Sequence, residues 1–138
     1  MAIYDNHSTV YVENVLSADI YDFDTTRVSD IVDMKGFNSL EFIFNIGDLI
    51  PKTVGNTFTV QLFENDISDI GSATLVDPKY VIGDASFNGF AAFSEKRVGY
   101  VGKKRYVLLK VVISGNTEIR FSVIALKGRP DFAPTEEN

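Results

Sequence analysis

Residues 39 to 47, SLEFIFNIG, alternate without a break: Leu40, Phe42, Phe44 and Ile46 fall on one side of an extended chain, Glu41, Ile43 and Asn45 on the other. Side chains repeat every two residues in a strand and every 3.6 in a helix, so the pattern specifies a half-buried β-strand. The same period recurs in Phe58, Val60 and Leu62, and in Ile119, Phe121, Val123 and Ala125. Weaker strands are expected near residues 14 to 21, 28 to 34 and 79 to 83. No segment keeps helical apolar spacing over three turns, although IGSATLV at 70 to 76 could hold one turn. Turn-forming residues cluster at 35 to 39, 47 to 56, 64 to 71 and 114 to 118. The last cluster is short enough to join residues 105 to 113 and 118 to 127 as a hairpin.

About seven or eight short strands punctuated in this way imply a single all-β domain, an antiparallel β-sandwich or jelly roll. Eleven phenylalanines and no tryptophan would fill its core. We place the sandwich at residues 13 to 127, with extended arms at 1 to 12 and 128 to 138; two prolines in the second arm oppose central-strand pairing.

The residue inventory excludes several classes of chemistry. With no cysteine and a single histidine, His7, the chain has no thiolate nucleophile or metal site and no multi-histidine site. The first fifteen residues have no positive flank followed by an apolar core, so we expect no signal peptide, and no apolar run suits a membrane span. Glu64, Asp66 and Asp69, with Asn65 and Ser68, offer oxygen ligands but lack calcium-loop spacing, and read as a solvated turn. Asp19, Asp22, Asp24 and Asp30 form a second acidic run with no base or nucleophile at a recognisable spacing. No catalytic constellation emerges, and we expect neither enzymatic activity nor a cofactor.

The stretch VGYVGKKRYVLLKVVIS, residues 98 to 114, offers three readings. A phosphate-binding loop needs glycines flanking four residues, then Lys-Ser/Thr and a helix; here Gly99 and Gly102 are three apart and Lys103 precedes Lys104. Basic residues interleaved with Tyr100 and Tyr106 could hold single-stranded nucleic acid. The net charge of −6 argues against that, and we expect no nucleic-acid partner. Residues 1 to 80 carry 4 Lys/Arg against 13 Asp/Glu, whereas residues 81 to 138 carry 9 against 6. That asymmetry suits docking to another protein or to further copies of the chain. We read Lys103, Lys104 and Arg105 as a basic loop facing such partners. In the following strand Val107, Leu109, Val111 and Ile113 share one face, while Tyr106, Leu108, Lys110 and Val112 share the other. The second face is too apolar for water, which implies that an arm or another subunit covers it. Ile43 and Ile124 add to that expectation.

Four segments, IVDMKGFNSLEFIFNIGDL (31 to 49), TFTVQLFENDIS (57 to 68), VGYVGKKRYVLLKVVISG (98 to 115) and VIALKGRPDFAP (123 to 134), in this order resemble small virion proteins of tailed bacteriophages, the capsid cement or decoration proteins of jelly-roll fold. The resemblance spans residues 28 to 134 and departs from the family between 72 and 93. It implies a non-enzymatic protein on the outer surface of the phage head, bound across capsomer junctions to the major capsid protein and to neighbouring copies. The contacts we expect are Ile3, Tyr4 and Tyr11 in the first arm, Lys103, Lys104, Arg105 and Leu108 in the basic loop and its strand, and Arg129, Pro130, Phe132 and Pro134 in the second arm. Removing either arm is then expected to weaken binding but spare the fold's melting. A neck or tail ring component is an alternative within the virion. A carbohydrate-binding sandwich is another, with Tyr80, Phe87, Phe90 and Phe93 as an aromatic platform.

Overall fold

Alternation becomes pairing in a computed structural model that describes residues 5 to 21, 25 to 50, 57 to 88, 92 to 115 and 118 to 135. The strands are β1 (Val10–Tyr21), β2 (Thr25–Val28), β3 (Val32–Asp33), β4 (Phe37–Ile50), β5 (Thr57–Asn65), β6 (Thr74–Leu75), β7 (Val81–Ile82), β8 (Ser86–Asn88), β9 (Ser94–Tyr100), β10 (Tyr106–Ser114) and β11 (Glu118–Pro130). Two single 3₁₀ turns, His7–Thr9 and Pro78–Tyr80, are the only helical elements among the described residues; residues 70 to 76 form a turn and the short β6 rather than a helical turn.

One sheet runs β1-β11-β4-β9-β7, the other β2-β10-β5-β6. Strands β2 and β3 pair with successive parts of β10, and β6 and β8 with successive parts of β5. Each pair therefore occupies one strand position. The two-residue β7 extends the first sheet beyond β9; with it set aside, eight positions remain in chain order, of which the first sheet holds the first, eighth, third and sixth, and the second holds the second, seventh, fourth and fifth. Two antiparallel sheets interlocked in this order are a jelly roll.

The expected hairpin between 105 to 113 and 118 to 127 does not form. β10 pairs with β5, whereas β11 pairs with β1 and β4 in the opposite sheet. The two strands therefore lie in opposite walls of the core, and the chain passes from one sheet to the other between Ser114 and Glu118. The stretch around 98 to 114 likewise divides, β9 going to one sheet and β10 to the other.

Leu40, Phe42, Phe44 and Ile46 are buried, as are Phe58, Val60, Leu62, Ile119, Phe121, Val123 and Ala125. Phe58 packs edge-on against Phe44 at 5.8 Å and Phe121 at 5.0 Å between ring centroids, and Tyr21 lies 4.5 Å from Phe121. These rings join the two sheets through the favoured tilted geometry. The phenylalanines do not all go inward: Phe93 and Phe132 are exposed.

The arms are shorter than expected. Residues 10 to 12 open β1, paired with 126 to 128 of β11, and β11 continues through Pro130, opposite Phe37. Pro130 is tolerated because it ends its strand. Thr135 then closes one terminal segment on the other: its N–H donates to the Ser8 carbonyl at 3.0 Å and its Oγ1 to that of Val10 at 2.9 Å. Residues 8 to 12 and 128 to 135 are thus part of the folded unit, so that removing them is expected to affect melting.

The apolar outer face of β10 also resolves within the chain. Leu108 is 1% exposed, opposite Phe63 of β5, and the Lys110 ammonium lies 4.4 Å from the Phe63 ring centroid. In the other sheet Ile43 and Ile124 are half-buried register neighbours.

Candidate functional site

One end of the sandwich gathers the chain's distinctive polar groups. There β9 and β11 finish, β4 and β10 begin, and the loop 101 to 105 crosses between sheets. The second glycine of VGYVG, Gly102, serves this crossing. A Cβ on Gly102 would overlap the hydroxyl oxygen, Cζ and Cε2 of Tyr100, so the backbone can wrap that ring only because residue 102 lacks a side chain. Tyr100 is almost buried. Its hydroxyl donates to Glu64 Oε2 at 2.5 Å and accepts from the Lys104 N–H at 3.1 Å. Burial first, and then the Glu64 carboxylate, push the Tyr100 hydroxyl far above the usual phenol range, so it remains a donor that pins β9 to β5.

The basic residues of the loop divide into two groups. Arg105 makes a two-pronged contact with Asp33, Nε to Oδ1 and an Nη to Oδ2, each 2.9 Å. The guanidinium holds the Asp33 carboxyl down at about 2. Lys104 Nζ meets Asp66 Oδ2 at 2.5 Å. Lys103 is exposed and has no ion pair among the described residues. Part of the loop's charge is therefore met within the chain, while the Lys104 and Arg105 side chains remain 42% and 47% exposed.

A cleft of about 460 Å³ opens beside the loop, lined by Lys35, Lys103, Lys104 and Arg105 with Phe37, Asn38 and Ser39 among its other walls, and by no carboxylate. A smaller cleft of about 320 Å³ adjoins it, sharing Asn38, Ser39, Tyr100 and Val101 and adding Arg129, Glu41 and Ile82. Arg129 has φ 48°, a left-handed conformation that costs a side-chain-bearing residue about 1–2 kcal/mol. Its carbonyl accepts from Asn38 Nδ2 at 2.9 Å, and the same amide reaches Asp131 Oδ1 at 2.8 Å.

The remaining expected contacts sort clearly. Ile3 and Tyr4 lie outside the described residues. Tyr11 is half-buried, its ring 4.8 Å from the Lys127 ammonium and 6.1 Å from Phe37, so it is engaged internally. Leu108 is buried and offers nothing to a partner. Pro130 is half-buried in its strand, Pro134 is exposed, and Phe132 is 89% exposed. Tyr80 and Phe93 do not share a platform: Tyr80 bonds Val101 at the basic end and Phe93 bonds Gly47 toward the opposite end. The Phe87 side chain and Phe90 lie outside the described residues.

The sequence reading missed Lys127. It follows 119, 121, 123 and 125 in the inward register, so parity alone directs it into the sandwich, where it is 5% exposed. Its ammonium pairs with Glu13 Oε1 at 2.5 Å, donates to the Asp33 carbonyl of the opposite sheet at 3.1 Å and lies 4.7 Å from the Phe37 ring centroid. A buried ammonium needs such complete solvation by protein. The acids of the turn at 64 to 69 are likewise engaged, Glu64 by Tyr100, Asp66 by Lys104 and Asp69 by Ser72. Among the described residues no group of three metal-ligating side chains assembles. Compared with known proteins, the chain matches no family model and no curated sequence.

Proposed function

We propose that this chain is a non-enzymatic virion protein of a tailed bacteriophage, a cement protein that binds the outer surface of the head at capsomer junctions and stabilises it. Its partners are the major capsid protein and neighbouring copies of itself. The observation that carries this reading is convergence at one end of a jelly roll: the closed terminal segments, the exposed Phe132, the exposed Lys103 and the strained Arg129 all lie there. Jelly rolls recur in capsid proteins, and four segments of the sequence resemble the cement family. Weak docking by each copy suffices, since a shell presents many sites and neighbouring copies add avidity.

The test is co-sedimentation of the purified chain with phage heads assembled without it. Saturable binding that raises the heads' resistance to heat is expected. Failure to bind such heads would overturn the proposal.

A further inference from the structure

We propose that the basic end is a docking site for an acidic segment of a partner protein, whose carboxylates pair with Lys103 and Arg129 while apolar side chains beside them pack on Val101 and Phe132. This deepens the virion reading and rests on it only for the identity of the protein that carries the segment.

Charge supplies the first argument. Five cations, Lys35, Lys103, Lys104, Arg105 and Arg129, line the two clefts against one carboxylate, Glu41, which pairs with Arg97 at 3.9 Å; the carboxylates around them are already engaged, Asp33 by Arg105, Asp66 by Lys104, Glu64 by Tyr100 and Asp131 by Asn38. The cleft is a local positive region on a chain of net charge −6. A polyphosphate needs a long basic track and would meet repulsion beyond the cleft. A short segment with a few carboxylates meets only the positive part. The cleft's volume also falls within the range of about 300–1,000 Å³ usual for ligand sites.

Backbone strain supplies the second. At φ 48° glycine would sit without penalty, yet residue 129 is an arginine whose side chain lines the adjoining cleft and makes no ion pair among the described residues. Strain retained at an exposed, unpaired cation points to use of the side chain. The exposed apolar groups supply the third: Val101 is 51% and Phe132 89% exposed, and carboxylates flanked by apolar residues match that mixture better than a sugar-phosphate chain.

The experiment is fluorescence anisotropy with the full chain, a labelled oligoglutamate peptide interrupted by phenylalanine, and a labelled oligothymidylate of equal charge. The peptide is expected to bind more tightly than the oligonucleotide, and to be released as ionic strength rises from about 0.02 M to about 0.5 M. Lys103→Glu should weaken peptide binding roughly ten-fold or more, the loss expected for a charge-assisted contact, whereas Lys79→Glu, away from the lining of either cleft, should not. Arg129→Gly separates use from structure: it should raise the melting temperature by relieving strain while weakening the peptide about ten-fold. Absence of peptide binding, or binding indifferent to both substitutions, would overturn the proposal. Tighter oligothymidylate binding lost on the same substitutions would also overturn it, in favour of a nucleic-acid site. All these readouts use the isolated chain, so their failure is distinguishable from failure to bind heads.

Discussion

Lys127 provides the sharpest energetic test of the fold. Replacing it with methionine keeps most of the side-chain volume but removes the ammonium that Glu13, the Asp33 carbonyl and the Tyr11 and Phe37 rings surround. Breaking a buried ion pair by deleting one partner costs about 3–5 kcal/mol, mostly through the charge left behind. Here the two partners differ. The Glu13 side chain is 29% exposed and can rehydrate, whereas that of Lys127 is 7% exposed and cannot. Lys127→Met should therefore cost about 2–3 kcal/mol and Glu13→Leu about 3–5 kcal/mol. The double substitution leaves no orphaned charge and should return to within about 1 kcal/mol of the starting protein. Urea unfolding followed by circular dichroism, with all four proteins at one pH, gives the cycle directly. Single costs that simply add in the double variant would refute the reasoning, because they would mean that the ammonium and carboxylate act independently.

Gly102→Ala places a methyl against the almost buried Tyr100 ring. Overpacking costs about 1–3 kcal/mol, so thermal melting should fall by about 5–10 °C; an unchanged melting temperature would contradict the wrapped-loop account. Asp33 has a folded pKa of about 2, depressed from 3.8 by Arg105, so its stabilisation is complete above about pH 4 and is lost as pH falls through 2. Both partners are nearly half exposed, and screening limits the effect to about 1 kcal/mol or less. Asp33→Asn should flatten stability between these pH values relative to the unaltered chain, and an identical acid profile would sink the assignment. Deleting residues 131 to 138 removes the bonds of Asp131 and Thr135 to Gly36, Ser8 and Val10 and should lower melting by about 2–6 °C. An unchanged melt would instead restore the idea of independent arms.

Strands whose two faces differ were legible in the sequence. Residues 40 to 46, 58 to 62 and 119 to 125 alternate because one face meets the core and the other water, and each lies where the pattern put it. Sheet membership was not legible. A five-residue turn signal after β10 fits a tight hairpin and an arch between sheets equally well. The ion pairs at the basic end were also hidden, since Arg105 finds Asp33 72 positions away and Lys104 finds Asp66 38 away. The sequence therefore displayed the loop's charge but not how much of it was spent. Lys127 was within reach, because continuing the inward parity of β11 by one step puts a lysine in the sandwich. Arg129 was not, since its left-handed backbone follows from the tertiary turn into Asp131.

The most direct measurement is quantitative mass spectrometry of purified virions of the source phage, giving this chain's copy number relative to the major capsid protein. The account predicts abundance comparable to the capsid protein, as a lattice-binding cement requires. A handful of copies would contradict the head-surface assignment in favour of a neck or tail position, and absence from the virion would contradict the structural role altogether.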